Sequence, residues 1–327
     1  MAAEAMVQCL LCPKSCRLLP GERGDCRARV NLDGKLISLV YGKVCSANID
    51  PIEKKPLFHF LPGSSALSVA TAGCNLHCLN CQNWSISQGD PEDVENFDLP
   101  PEQLVQSALS NNCSMIAYTY TDPVIFFEYA LDCCTLAAER GLRNVLVSAG
   151  FINRKPLQQL ARVTHGANID LKAFSDDFYR RVTTGRLQPV LDALVTLKSA
   201  GVWLEITNLV IPTLNDDEAQ VRQMCRWIVR ELGRDTPLHF SRFFPRYKMR
   251  DLPRTPAATL QRLRSLAQSE GLDYVYVGNL GNPQFETTYC PSCGAAAIVR
   301  RGYSIVQYDL HNSACAACGR RLPGVWE

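Results

Sequence analysis

Between residues 66 and 245 the chain repeats one unit, a short apolar run followed by an amphipathic stretch. The apolar runs are LSVATAG (67–73), SMIAYTY (114–120), NVLVSAG (144–150), GANIDLK (166–172), WLEITNLVI (203–211) and LHFSRFF (238–244). Helical patterns lie between them, among them PPEQLVQSALSN, VIFFEYALDCCTLAAERG, PVLDALVTLKSAG and DEAQVRQMCRWIVRELG. Runs this short and this continuously apolar suit parallel strands buried on both faces by helices. Such units in series predict an α/β fold, a partial (β/α)6 barrel of TIM-like type. DYVYVGN (273–279) is a candidate for one more strand. A doubly wound open sheet satisfies the same periodicity.

In a barrel of this kind the chemistry gathers at the C-terminal ends of the strands. Cys74, Cys78 and Cys81 begin immediately after the first strand. Thr121 and Asp122 follow the second, Ser148 lies near the end of the third, and Asp170 and Lys172 end the fourth. Asn208 lies on the fifth strand, and His239 and Arg242 on the sixth. No other part of the sequence predicts a comparable convergence of thiols and polar groups.

The sixteen cysteines in 327 residues are the compositional anomaly. The chain is long, begins MAAEAMVQCLLCPKSC without the charged and apolar regions of a signal peptide, and places most cysteines in CxxC-type groups. Thiolates bound to metal in a reducing, cytoplasmic compartment fit this better than disulfides. A net charge of +2 predicts no strong field for nucleic acid or anionic membrane, and no apolar run is long enough for a membrane span. The cysteines also divide the chain into an N-terminal lobe (1–62), a barrel core (63–285) and a C-terminal module (286–327). RVNLDGKLISLVYG, with Asp33-Gly34 at its centre, reads as a β-hairpin in the first lobe, and LPGSS (61–65) as a hinge. Cys45, Cys113, Cys133, Cys134 and Cys225 fall outside the groups and read as small buried apolar residues.

Cys290-x2-Cys293 and Cys315-x2-Cys318 form a zinc-ribbon pattern, two tight turns that each give two thiolates. Gly294 and Gly319 follow the two turns, where backbone N–H groups must swing toward sulfur. Cys9, Cys12, Cys16 and Cys26 are a less standard set that suits zinc or a second iron–sulfur cluster. Either metal would staple a lobe too small to fold on its own core.

The trio is different, because it lacks a fourth ligand. A [4Fe–4S] cube on three thiolates leaves one iron free, as a catalytic metal site requires. A small molecule with an amine and a carboxylate can chelate that iron; if it is S-adenosylmethionine, its sulfonium lies against the cluster. One electron from the reduced cube then yields methionine and a 5′-deoxyadenosyl radical. A three-cysteine zinc site completed by His77 is the competing reading.

Cx3Cx2C directly after the first strand resembles the signature of radical S-adenosylmethionine enzymes. CLLCPKSCRLLPGERGDCRAR, DPIEKKPLFHFLPGS, GCNLHCLNCQNWSISQ, IAYTYTDPVIFFEY, NIDLKAF, HFSRFFPRYKM and TTYCPSCG with CAACGRRLPGVW resemble the radical enzyme of the AmmeMemoRadiSam system. That branch is related to pyruvate formate-lyase-activating enzymes. The resemblance implies Cys74, Cys78 and Cys81 as cluster ligands and Asp122, in Tyr-Thr-Asp-Pro, as the carboxylate for the cofactor's amino group. Asp122 stands where the branch carries a longer Glu. The resemblance further implies cofactor contacts for Thr121, Ser148, Asp170, Lys172 and His239, and for Asn80, which replaces a common aromatic residue near the adenine.

The function implied is hydrogen abstraction from an unidentified substrate, a peptide or protein among the candidates. The implied partners are a one-electron donor such as flavodoxin or ferredoxin and Memo-like and AMMECR-like proteins. A glycyl-radical activase is the narrower alternative, and an inactive zinc-ribbon adaptor belongs to another class.

Overall fold

A computed structural model describes residues 6–327; residues 1–5, where the predicted N-terminal lobe and the stretch inspected for a signal peptide begin, lie outside the described part. Two short antiparallel ladders come first. β1 (Val7–Gln8) pairs with β2 (Arg17–Leu18), and β3 (Arg29–Leu32) pairs with β4 (Lys35–Ser38). The second ladder is the hairpin expected around Asp33-Gly34, whose residues both take positive φ, as a tight two-residue turn requires.

β5 (Lys43–Pro51) leaves the lobe and joins the main sheet. The strands that follow are β6 (Ser65–Thr71), β7 (Phe97–Asp98), β8 (Met115–Tyr118), β9 (Arg143–Ser148), β10 (Gly166–Asp170), β11 (Trp203–Val210), β12 (Leu238–Arg242) and β13 (Val275–Gly278). The sheet order is β13-β12-β11-β10-β9-β8-β6-β5-β7. From β6 to β13, skipping β7, the neighbours are parallel. β5 and β7 run antiparallel at one edge. The architecture is therefore the expected partial barrel, with 273–279 supplying a seventh parallel strand through β13.

Each crossover is a helix with one apolar stripe, including Pro101–Ser110, Phe127–Glu139, Leu187–Ser199, Glu218–Leu232 and Ala257–Ser269. Their buried faces pack on one face of the strands as the main core, and Ala66, Met115, Ala117 and Val145 on the other face form a second, smaller cluster with Ile52, Leu57 and Phe60. Asp217 caps Glu218–Leu232 by accepting from Gln220 N–H at 2.9 Å, which fixes where that helix starts.

The C-terminal module carries β14 (Thr288–Tyr289), β15 (Ala296–Arg301), β16 (Ser304–Tyr308), β17 (Leu310–His311) and β18 (Ala314–Cys315). It is tied to the barrel. Phe60 bridges to Val325, and the His59 ring bonds Pro323 O at 2.8 Å. Arg300, with no exposed surface, reaches Phe58 O at 2.5 Å and faces buried Glu53. The sixteen cysteines are all free thiols; Cys113, Cys133, Cys134 and Cys225 are buried as expected, whereas Cys45 is only half-buried.

Candidate active site and metal centres

The ends of β6, β8, β9 and β10 lie side by side in the sheet, so the groups that follow them converge. The loop after β6 carries Cys74, Cys78 and Cys81. Its backbone is pinned from outside the barrel: His77 N–H donates to Thr183 O at 3.0 Å and Leu79 N–H to Val182 O at 2.9 Å. Lys248 N–H, from the loop after β12, closes on Leu79 O at 3.0 Å. Gly73 starts the turn at φ +95°, and a Cβ there would sit 2.5 Å from Cys26 O. No side chain fits at that position, so the N-terminal lobe backs directly onto the cysteine loop.

The thiols face buried charge. Burial raises the Cys74 pKa well above the ordinary range, with the Asp122 carboxylate adding to the effect. Burial pushes Cys78 up to about 11, while the Lys172 ammonium pulls the other way. His77 is not a fourth ligand. Its Nδ1 meets Gln88 Oε1 at 2.7 Å and its Nε2 meets Asp25 Oδ2 at 2.9 Å. The three-cysteine zinc reading loses its fourth donor to these contacts.

Asp122 is 3% exposed and held by three donor groups, which leave its carboxylate capacity for one more. One oxygen accepts from Val124 N–H at 3.1 Å, the other from Ala149 N–H at 2.9 Å, and the Ser148 hydroxyl lies 3.0 and 3.1 Å from the two. Burial raises the Asp122 pKa, and these donors together with Lys172 oppose it. Thr121 spends its hydroxyl on Thr71 O, at 2.9 Å. Lys172 Nζ bonds Asp170 Oδ2 at 2.7 Å. Burial works against its charge, but Asp170 and Cys78 outweigh it and raise its pKa above the ordinary value. The Lys172 backbone is fixed by Tyr179 Oη at 3.0 Å and by Asn215 Nδ2, which donates to Lys172 O at 2.6 Å.

Cys74, Cys78, Asp122, Ser148, Asp170 and Lys172 are thus one group. Asn80 stands half-buried in the cysteine loop. His239 is not brought to this group. Its ring is buried lower in the barrel, where Nε2 donates to Glu205 Oε2 at 2.6 Å and the ring stacks on Tyr276. The reason is its place in β12: His239 is the second residue of a five-residue strand, three before its C-terminal end.

The sequence reading passed over the support of this group. Tyr120, just before Thr121 and Asp122, holds φ at +64°, a left-handed value that an aromatic residue adopts only under constraint. Its hydroxyl bonds Asp50, the Lys55 ammonium sits 4.5 Å from its ring centroid, and its carbonyl accepts from Asn83 Nδ2 at 2.7 Å. Asp50 in turn binds Lys54 at 2.7 Å and Lys55 at 2.6 Å. The pair Lys54 and Lys55 is a brace. The only hint in the sequence was Asp50 and two lysines between prolines.

The donor set suits the cofactors expected here. Cys74 and Cys78 face a buried carboxylate and an ammonium ion, Cys81 Sγ lies 3.2 Å from Ser87 Oγ, and Thr71 Oγ1, at the end of β6, is buried without a hydrogen-bond partner. Such orphaned groups are rare unless a bound molecule satisfies them.

The C-terminal four form a second centre. Among the described residues, Cys290, Cys293, Cys315 and Cys318 are the group whose ligand atoms all lie within 4.8 Å of one another. Cys290 and Cys318 sulfurs are 3.6 Å apart, and those of Cys293 and Cys315 3.8 Å. Both knuckles close alike, Gly294 N–H on Cys290 O at 2.9 Å and Gly319 N–H on Cys315 O at 2.8 Å. The two glycines hold φ at +75° and +74°. Burial works against the Cys290 thiolate, yet the N–H groups of Cys293 and Ser292 and the neighbouring thiols hold its pKa at about 7. This centre can hold a metal ion.

A nine-stranded, mainly parallel sheet with three cysteines after its first parallel strand defines a class, and residues 68–225 match the model of the Radical SAM superfamily. The chain is an enzyme of that superfamily, which sets aside its reading as an inactive adaptor. It belongs to one family with the uncharacterized protein MJ0808 of Methanocaldococcus jannaschii. The two are 44% identical over 318 residues, 97% of this chain and 95% of that protein. It is also similar to the pyruvate formate-lyase-activating enzyme of Clostridium pasteurianum, 22% identical over 165 residues, 48% of this chain and 66% of that one. In fold it resembles SuiB of Streptococcus suis bound to the precursor peptide SuiA. That match has a TM-score of 0.52 at 12% identity, covering 70% of this chain and 51% of that one. No helix among the described residues is long and apolar enough to cross a membrane.

Proposed function

We propose that the chain uses a [4Fe–4S] cluster on Cys74, Cys78 and Cys81 to cleave S-adenosylmethionine reductively and abstract hydrogen from a peptide or protein substrate. The observation that carries this reading is the under-ligated trio beside Asp122 and Lys172. With cluster and cofactor bound, the site supplies one electron to a carbon–sulfur bond and so a 5′-deoxyadenosyl radical. The chain's own residues do the rest. Asp122, aimed by Ser148 and Ala149, receives the cofactor's ammonium group. Lys172, kept protonated by Asp170, balances its carboxylate. Thr121 fixes the turn that carries Asp122, and Asn80 offers an amide to the adenine edge. The surrounding core excludes water that would quench a radical.

The sheet does not close on itself, since β13 and β7 are its two ends. An open side of this kind admits a chain segment, which supports a peptide or protein as substrate. The match to SuiB, seen with its precursor peptide, is compatible in fold. Anaerobic reconstitution, dithionite reduction and addition of S-adenosylmethionine test the reading. It expects 5′-deoxyadenosine well above a Cys74→Ala control; equal amounts in both would sink it.

The similarity to a pyruvate formate-lyase-activating enzyme favours a second reading, in which the substrate is a backbone glycine of a partner enzyme. A doublet in electron paramagnetic resonance, from a stable glycyl radical on an added partner, distinguishes it. The fuller setting follows the AmmeMemoRadiSam resemblance: a cytoplasmic protein, a flavodoxin or ferredoxin as electron donor, and Memo-like and AMMECR-like proteins as companions. The C-terminal centre is read as structural zinc. A Zn–S length of about 2.3 Å puts thiolates in a tetrahedron roughly 3.8 Å apart, which agrees with the two sulfur pairs.

A further inference from the structure

We infer that Cys9, Cys12, Cys16 and Cys26 hold a second iron–sulfur cluster of the [4Fe–4S] type, not zinc. Cys9 directly follows β1, Cys12 and Cys16 lie in the turn before β2 and Cys26 in the turn before β3, and the four line a single cavity with Arg29 and Asn75. Four thiolates closed on one zinc ion each lie about 2.3 Å from the centre, and so only about 3.8 Å from one another. The C-terminal four show what the closed arrangement looks like in this chain. Their sulfurs all lie within 4.8 Å of one another, and no three of the N-terminal sulfurs do. A cubane, with iron at four separate corners, needs its thiolates spread around a central space.

A second observation is independent of the spacing. Arg29 is 2% exposed and lines this cavity. Its two terminal nitrogens bind Glu128, one of them at 2.9 Å, but its Nε–H is buried and has no hydrogen-bond partner. A buried donor left over at a ring of thiols is matched by thiolate or inorganic sulfide, and its charge offsets the negative charge of a cluster with four thiolates. Asn75 belongs to both centres: it follows Cys74, donates to Phe151 O at 2.8 Å, and lines the second cavity. The chemistry such a site adds is uptake of one electron from a low-potential one-electron donor, taking the core from the 2+ to the 1+ state.

The inference is separable from the reading of Cys74, Cys78 and Cys81, because it is tested with that trio removed. The full chain carrying Cys74→Ala, Cys78→Ala and Cys81→Ala is reconstituted anaerobically and cannot cleave S-adenosylmethionine by the proposed route. It is expected to keep about four irons and four sulfides, with the Mössbauer doublet of a cubane and a paramagnetic signal on dithionite reduction. Zinc in place of iron, or no metal beyond the C-terminal ion, would overturn the inference. Arg29→Gln in the same background supplies a second measurement. Loss of the charge and the donor is expected to move the cluster's potential to a more negative value. An unchanged potential would remove Arg29 from the argument and count against the site.

Discussion

Glu205 and His239 meet at 2.6 Å inside the barrel, the carboxylate with no exposed surface and the imidazole 4% exposed. Glu205 also accepts from Phe58 N–H at 3.0 Å, His59 N–H at 2.7 Å and Trp203 Nε1–H at 3.0 Å. Burial works against its charge, but His239 and these donors hold its pKa below the ordinary value. The pair is a structural plug at the floor of the barrel. His239→Ala leaves that carboxylate short of a partner in an apolar setting and is expected to lower stability by roughly 3–5 kcal/mol. Chemical denaturation measures it. Binding of S-adenosylmethionine by the folded fraction is expected to stay unchanged, since His239 does not reach the cysteine group.

His59 gives a pH dependence. Its Nδ1–H donates to Pro323 O at 2.8 Å and its Nε2 accepts from Tyr276 Oη at 2.7 Å, so the neutral ring is fully satisfied. Burial holds its pKa down at about 4, against the pull of Glu205. The folded state therefore resists a proton that the unfolded chain takes up near pH 6.5. Stability from this group is complete above that pH and falls as the pH drops toward 4, by up to about 3 kcal/mol. Urea melts from pH 7 to pH 4 are expected to show this slope, and His59→Gln to flatten it.

Ser148→Ala removes the hydroxyl shared between the two Asp122 oxygens while leaving the Ala149 N–H in place. The carboxylate loses one of its aiming contacts, worth about 1–1.5 kcal/mol. Affinity for S-adenosylmethionine is expected to weaken about tenfold, and Asp122→Asn to weaken it further through loss of charge. Calorimetric titration of the reconstituted protein reads both.

Chelation at the C-terminal centre is expected to loosen the barrel floor as well as the module. Trp326 packs against His59 with ring centroids 5.1 Å apart, and Arg300 bridges the module to Phe58 O. Removal of the ion, or Cys293→Ser with Cys318→Ser, should lower the melting temperature of the whole chain. It should also raise protease sensitivity near residues 57–60. A melt in which only the last forty or so residues respond would show that the module is independent of the barrel.

Lys55→Met tests the brace. It leaves buried Asp50 with Lys54 and Tyr120 as its remaining partners and takes the cation off the Tyr120 ring. Burial works against the Asp50 charge, yet Lys54, Lys55 and Tyr120 together hold its pKa well below the ordinary carboxylate range. Stability is expected to fall by roughly 2–4 kcal/mol, and cofactor affinity to weaken because Tyr120 no longer holds the turn before Asp122. Denaturation and titration on the same preparation separate the two effects.

The sequence alone determined the repeating strand–helix units, the three cysteines after the first parallel strand and the paired knuckles of the C-terminal centre. All three are local patterns: periodicity reports which side chains must be buried, and close thiol spacing reports a shared ligand. Tertiary structure decided everything that depends on which distant segments meet. It put β5, from the stretch expected to be an N-terminal lobe, into the main sheet, and joined the lysine pair to Tyr120 through Asp50. It sent His239 to Glu205 instead of to the cysteine group. It also left an unpaired Arg29 N–H at the N-terminal thiols. A strand's sequence says that a residue points inward, but the level at which it meets its neighbours is set by register and tilt across the sheet, and those arise only when the barrel assembles.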